Sequence, residues 1–180
     1  MKKNIVIFSG SNKPNYFNEI EKDLIIISNN IDVEKYNLYY GGGESGLMGI
    51  IPYNFHKRNG KVYGIDAKQF VDKYGKASFG ETLVMDTFTE RQNTLVSKGD
   101  IFLCLPGGIG TISELFDVLV NNDVNEKSYK VILFSYNNFF EDIIKFIYNK
   151  IDGKFIRAKI LNNLVICKSV EQVVKELAIE

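Results

Sequence analysis

Apolar positions in this chain follow two rhythms that alternate along its length. Short unbroken runs read as strands covered on both faces: KNIVIF (3–8), NLYY (37–40), KVYGI (61–65), TLVMDTF (82–88), DIFLCL (100–105), KVILFS (130–135) and NLVIC (163–167). Longer segments with apolar residues three and four apart read as helices. These are FNEIEKDLIIISNN (17–30), a stretch ending near Lys57, TERQNTLVSKG (89–99) with its glycine stop, TISELFDVLVNN (111–122), NNFFEDIIKFIYNKI (137–151) and SVEQVVKELA (169–178). The segment between KVYGI and TLVMDTF is polar and less regular. This alternation predicts a Rossmann-like, doubly wound α/β fold: a mostly parallel sheet with helices on both faces. No internal repeat or low-complexity linker interrupts it, so residues 1–180 are expected to form one domain. Ligands of such sheets bind beyond the C-terminal strand ends, which directs attention to SGSN (9–12), GGGESG (41–46), FTER (88–91) and PGGIGT (106–111).

Composition narrows the partners. Hydrophobic residues make up 45% and charged residues 24%, the balance of a globular protein. The 22 basic and 22 acidic side chains cancel, so net charge points to neither nucleic acid nor an anionic membrane, and any anion site must be local. The N-terminal apolar run, Ile5 to Phe8, is too short for a signal-peptide core, and no run reaches membrane-spanning length. The expected location is the cytoplasm. Cys104 and Cys167 lie in apolar, strand-like segments without CxxC spacing, and His56 is the only histidine, a pattern of buried reduced thiols rather than a metal site or a disulfide framework.

Two glycine clusters carry the candidate chemistry. PGGIGT follows a strand and opens a helix, so its backbone N–H groups can face an anion held at the positive end of the helix dipole. No lysine follows the last glycine, as it does in the ATP-type loop, which suggests a monophosphate rather than a triphosphate. Within the same stretch Thr111-Ile112-Ser113-Glu114 also matches a capping box, so Glu114 reads equally as a helix cap or as a catalytic acid. The second cluster, Gly41, Gly43 and Gly46, spells GxGxxG after a strand, with Asp66 twenty positions beyond Gly46 where a dinucleotide fold places its ribose-binding acid. Against that reading, the motif lies in the second βα unit, and no length remains for a separate substrate domain.

YYGGGESGLMG (39–49), then Glu90-Arg91, then LPGGIGTISE (105–114) together resemble the LOG (LONELY GUY) family, long labelled lysine decarboxylase. Its PGGxGTxxE hallmark is complete from Pro106 to Glu114, and FSGS (8–11) is similar to the family's opening FxGSS. A true lysine decarboxylase would need pyridoxal phosphate on a lysine, and neither glycine loop supplies one. The resemblance implies a phosphoribohydrolase, in which water cleaves the N-glycosidic bond of a nucleoside 5′-monophosphate, a cytokinin ribotide or AMP, releasing free base and ribose 5-phosphate. It implies a homodimer with a small-molecule substrate and calls for no cofactor and no metal. The implied roles place Gly107, Gly108, Gly110 and Thr111 on the phosphate, and make Glu114 the catalytic carboxylate with Arg91 as its partner or as a substrate clamp. Gly42, Gly43 and Met48 shape the base and ribose pocket, and Ser9 and Ser11 reach the ligand from the first loop. Taken alone, Arg91 could instead form a surface salt bridge with Glu90 or Asp86. The chain departs from the family pattern at Gln92, where lysine is usual, at Phe88, where methionine is usual, and after Glu114, where FDVLVNND replaces a W-x-Q segment. The missing lysine charge leaves a non-catalytic nucleotide-binding or sensing module as the alternative.

Overall fold

The computed structural model describes residues 2–178. Seven strands form one sheet: β1 (Lys3–Phe8), β2 (Tyr36–Tyr40), β3 (Val62–Ala67), β4 (Glu81–Met85), β5 (Ile101–Cys104), β6 (Lys130–Phe134) and β7 (Leu164–Cys167). All paired strands are parallel, in the order β4-β3-β2-β1-β5-β6-β7. The connecting helices are α1 (Phe17–Asn30), α2 (Ile50–Lys57), α3 (Lys68–Tyr74), α4 (Phe88–Lys98), α5 (Ile109–Val124), α6 (Glu141–Asp152) and α7 (Val170–Ala178).

The period-two geometry of a strand explains how one unbroken apolar run feeds two cores. Ile5 and Ile7 of β1, with Ile101 and Leu103 of β5, face a cluster completed by Leu24 of α1, Phe55 of α2 and Leu177 of α7. Their neighbours Val6, Phe8, Phe102 and Cys104 face the opposite cluster, built from Leu95 of α4, Leu115 and Val118 of α5 and Ile147 of α6. Both cysteines are buried and free. The chain winds outward from β1 to β4, then returns to place β5 on the other side of β1. The loops after β1 and β5 therefore diverge to opposite faces and leave a crevice at the C-terminal edge, the usual ligand position in this architecture.

Three local features differ from the expected pattern. The strand expected through Phe88 stops at Met85, because Thr87 caps α4: its Oγ1 accepts from the Glu90 amide at 3.1 Å, while the Glu90 carboxylate accepts from the Thr87 amide at 3.1 Å. α3 occupies the polar segment that carried no helical signal; it buries none of its residues and so has no apolar stripe to read. The helix expected from Asn137 begins at Glu141, since Asn137 and Asn138 have φ of 50° and 59°, the left-handed region that asparagine tolerates.

Arg58, just past α2, closes the C-terminal end of α1. Its guanidinium donates to the carbonyls of Asn29 (3.2 Å), Ile31 (2.8 Å) and Ser28, which also accepts from the Ile31 amide, and so ties the last turn of α1 and the residue after it to α2. Arg58→Ala is expected to lower stability by about 1.5–3 kcal/mol, the range for hydrogen bonds made by a charged donor. Urea unfolding, with an unchanged m-value, checks it.

Candidate active site

The crevice between β1 and β5 is closed at its floor by backbone alone. The Gly10 amide donates to Pro106 O at 3.0 Å, and a Cβ added to Gly107 would lie 2.7 Å from Gly10 N and 2.1 Å from Thr111 Oγ1. Glycine at 107 is required by this close approach. On the outer side, Gly108 and Gly110 face open space. Gly108 is the N-cap of α5 and supplies no side-chain hydrogen bond, so the first-turn amides of α5 have no cap and converge with the helix dipole on the crevice mouth.

This start corrects the reading of TISE as a capping box. α5 begins at Ile109, two residues before Thr111, so Thr111 and Glu114 lie inside the helix and both turn inward, at 4% and 8% exposed. Thr111 caps nothing. The sequence TFTE at 87–90 forms a capping box in this part of the chain, and it sets the first turn of α4 so that Arg91 points into the fold.

Arg91 is 6% exposed and joins the two halves of the site. Its Nη1 donates to Glu114 Oε1 at 3.1 Å and its Nη2 to the Gly41 carbonyl at 3.2 Å, with the Phe88 ring centroid 5.7 Å away. A surface salt bridge with Glu90 or Asp86 is thereby replaced by a buried pair across α4 and α5. Burial pushes the Glu114 carboxyl above the ordinary glutamate range; the charge and hydrogen bond of Arg91 oppose that rise, and Asp117 adds to it. Gln92, one residue on, donates from Nε2 to Ser113 Oγ at 3.3 Å and ties the same two helices on their outer side.

The glycine cluster at 41–46 wraps around Arg91. A Cβ on Gly41 would lie 2.2 Å from Arg91 Nη2, and Met48 Sδ lies 3.2 Å from the corresponding points on Gly41 and Gly43. Gly42, at φ +84°, packs against Asp66, and Gly46, at φ +64°, packs against the Ser11 backbone. The amides of Leu47 and Met48 donate to Gly10 O at 3.0 and 3.1 Å, and α2 begins only at Ile50. Those two donors, just beyond the GxGxxG glycines, are spent on the neighbouring loop. Ser9 is 4% exposed and its Oγ has no partner, a buried hydroxyl at the crevice end of β1. Ser11 is exposed and meets the site through its backbone. The contacts of Gly10 with Pro106 and of Gly41 with Arg91 run across loops and carry no local sequence signal.

The family model described as "Possible lysine decarboxylase" matches residues 48–177. The chain belongs to this family, the LOG family. Among curated relatives, two Arabidopsis thaliana proteins named cytokinin riboside 5′-monophosphate phosphoribohydrolase are similar to it. One is 28% identical over 97% of this chain and 77% of its own length, the other 30% identical over 86% and 72%. A Rhodococcoides fascians protein of the same name is 28% identical over 76% of this chain and 70% of its own. The fold is shared with a molybdenum cofactor binding protein from Rippkaea orientalis, at TM-score 0.74 and 20% identity over 99% of this chain and 96% of that one. The molybdenum cofactor carrier protein of Chlamydomonas reinhardtii aligns at TM-score 0.70 and 15% identity over 100% of both chains. At such identities the likeness of these two structures concerns the fold alone. The family match contains Met48, Arg91 and the whole of Pro106–Glu114.

Proposed function

We propose that this LOG-family chain is a hydrolase that cleaves the N-glycosidic bond of a nucleoside 5′-monophosphate, a cytokinin ribotide or AMP, to free base and ribose 5-phosphate. The observation that carries the reading is the buried Arg91–Glu114 pair one helical turn from the uncapped start of α5. A phosphate on the first-turn amides, with Gly107, Gly108, Gly110 and Thr111 around it, directs the ribose toward Glu114. As the C1′–N bond lengthens, the sugar gains oxocarbenium character, and a carboxylate in a water-poor site stabilises that charge and accepts a proton from the attacking water. Arg91 holds Glu114 ionised and in place while its second nitrogen fixes the Gly41 carbonyl, so that Gly42, Gly43 and Met48 frame the remainder of the nucleoside. The unpartnered Ser9 hydroxyl is available to the same ligand. The names of the curated relatives support this assignment. Incubation with AMP and with isopentenyladenosine 5′-monophosphate, followed by chromatography, tests it: free base is expected, and folded protein that releases none from either nucleotide contradicts it.

The account carries a pH dependence. The acid limb of kcat/KM follows Glu114 ionisation and is expected above the ordinary glutamate range, in the direction that burial moves it. Arg91→Met removes the charge opposing that shift, so the limb moves to still higher pH while the rate falls. Profiles of the two proteins decide this, and a limb that stays or moves down refutes the coupling.

We further infer that the chain works as a one-domain homodimer in the cytoplasm. Along α5, Ile109 (86% exposed), Val120 and Val124 are exposed on one apolar face beside the crevice, with the half-buried Phe116 between them, an arrangement that favours a second copy as its cover. Static light scattering is expected to give twice the chain mass, and Val120→Glu half of that. Buried reduced thiols at Cys104 and Cys167 suit a reducing compartment, and among the described residues no helix is long and apolar enough to cross a membrane.

A further inference from the structure

The chemistry above leaves a second buried carboxylate, at the C-terminal edge of the sheet beside the 41–46 glycine loop, without a role. Asp66 is the penultimate residue of β3 and is 5% exposed. Its Oδ1 accepts from the Ala67 amide at 2.8 Å. Oδ2 lies against the glycine loop: a Cβ on Gly42 would be 3.0 Å from it and 2.8 Å from Asp66 Cβ.

Strand order says which part of a nucleotide meets this carboxylate. The phosphate cradle follows β5, and β1, β2 and β3 succeed one another beside it. Asp66 therefore lies three strand spacings from the cradle, about 14 Å at ~4.8 Å per strand. Arg91 spans the interval, with one nitrogen on Glu114 and the other on the carbonyl that follows β2. A nucleoside monophosphate with its phosphate on α5 and its C1′ at Glu114 extends its base toward Gly41–Gly43 and the end of β3.

A base leaves readily only if a proton reaches one of its ring nitrogens as the glycosidic bond breaks. Glu114 cannot supply it while bearing the negative charge that the sugar requires, and sites of this kind divide the two tasks between groups in different environments. We propose that Asp66 is the general acid that protonates the departing base, an inference that rests on the hydrolase reading above. The C1′–N bond breaks with its electron pair passing to the base, and the Asp66 proton passes to the base nitrogen. Water oxygen bonds to C1′ and its proton goes to the Glu114 carboxylate. Solvent then returns a proton to Asp66 and removes one from Glu114. Burial raises the Asp66 carboxyl, opposed by the Ala67 amide and by Arg91. The charged and titratable groups bearing on it are Arg91 from α4 and Tyr40 from β2, whose hydroxyl is buried without a partner; Glu44 of the glycine loop bears in turn on Tyr40.

The test exploits the leaving group. Asp66→Asn keeps the shape and the acceptor for the Ala67 amide but carries no acidic proton. With AMP, kcat is expected to fall about 10²-fold or more, with KM little changed. With 4-nitrophenyl riboside 5′-phosphate, whose nitrophenolate departs without a proton, the wild-type rate is expected to persist. An equal fall on both substrates, or no fall on AMP, overturns the assignment. The wild-type protein provides a measurement independent of the variant's folding: the alkaline limb of kcat seen with AMP is absent with the nitrophenyl substrate, and the same limb on both overturns it. A folded wild-type protein that cleaves neither substrate refutes the hydrolase reading itself, an outcome distinct from these and one that removes this inference with it.

Discussion

Glu114→Gln lowers base release from AMP by about 10³-fold while nucleotide binding persists, the largest loss expected of any single change in this chain. The substitution removes charge and little else. Glutamine offers a carbonyl oxygen where Glu114 Oε1 now accepts from Arg91 Nη1 at 3.1 Å, so the guanidinium keeps its donor geometry and its second bond to Gly41 O. What disappears is the carboxylate proposed to face the oxocarbenium-like sugar and to take a proton from water. With the phosphate on the α5 amides, as proposed, binding measured by calorimetry should change far less than kcat, a split that separates a transition-state role from ground-state affinity. Removing the side chain altogether differs in kind. Glu114→Ala leaves Arg91 a buried cation without its partner and is expected to destabilise by about 3–5 kcal/mol, visible in the unfolding midpoint before any assay.

Gly107→Ala produces the second large effect, by crowding rather than by charge. The added methyl meets Thr111 Oγ1, which can rotate, but also the Gly10 amide, which is hydrogen bonded to Pro106 and cannot yield without opening the crevice floor. Overpacking at such a site costs about 1–3 kcal/mol, and the displacement of the α5 start is expected to reduce kcat/KM by about 10²-fold. Gly110→Ala provides the contrast within the same motif. Its Cβ enters open space inside a helix, so stability rises by about 0.5–1 kcal/mol as alanine replaces the more flexible residue. Thermal unfolding of the two variants in parallel checks both signs; a Gly107→Ala protein as stable as its parent refutes the close-approach account.

How much of this was legible beforehand depended on whether the signal was local. β1 and α1 appear at their expected limits because an unbroken apolar run and a three-four spacing each encode one burial pattern. The PGGIGTISE and ER stretches drew attention to Arg91 and Glu114, but the pairing of the two side chains belongs to the fold, since α4 and α5 meet only after the chain has passed through β5. Capping was ambiguous for a physical reason. TFTE and TISE carry the same S/T-x-x-E pattern, and which one caps depends on where each helix starts; the glycines before Thr111 let α5 begin two residues early and carry its acid into the interior. At the 41–46 cluster the sequence offered a GxGxxG pattern with reasons against it, and the cross-loop bonds from Leu47 and Met48 to Gly10 O are tertiary contacts that no local pattern contains. Asp66 was noticed for its spacing, but its neighbour Gly42 and its distance from the cradle are set by the order of strands, which no local pattern contains.

The central claim is that the uncapped start of α5 and the Arg91–Glu114 pair form a site that turns nucleotide over. It is tested most directly by incubating wild-type and Glu114→Gln proteins with AMP and quantifying adenine, ribose 5-phosphate and intact nucleotide in the same chromatogram. The account predicts adenine and ribose 5-phosphate in equal amounts from the wild type, and bound but intact AMP from the variant. AMP bound tightly and recovered intact from the wild-type protein would contradict it and would make the chain a nucleotide-binding module rather than an enzyme.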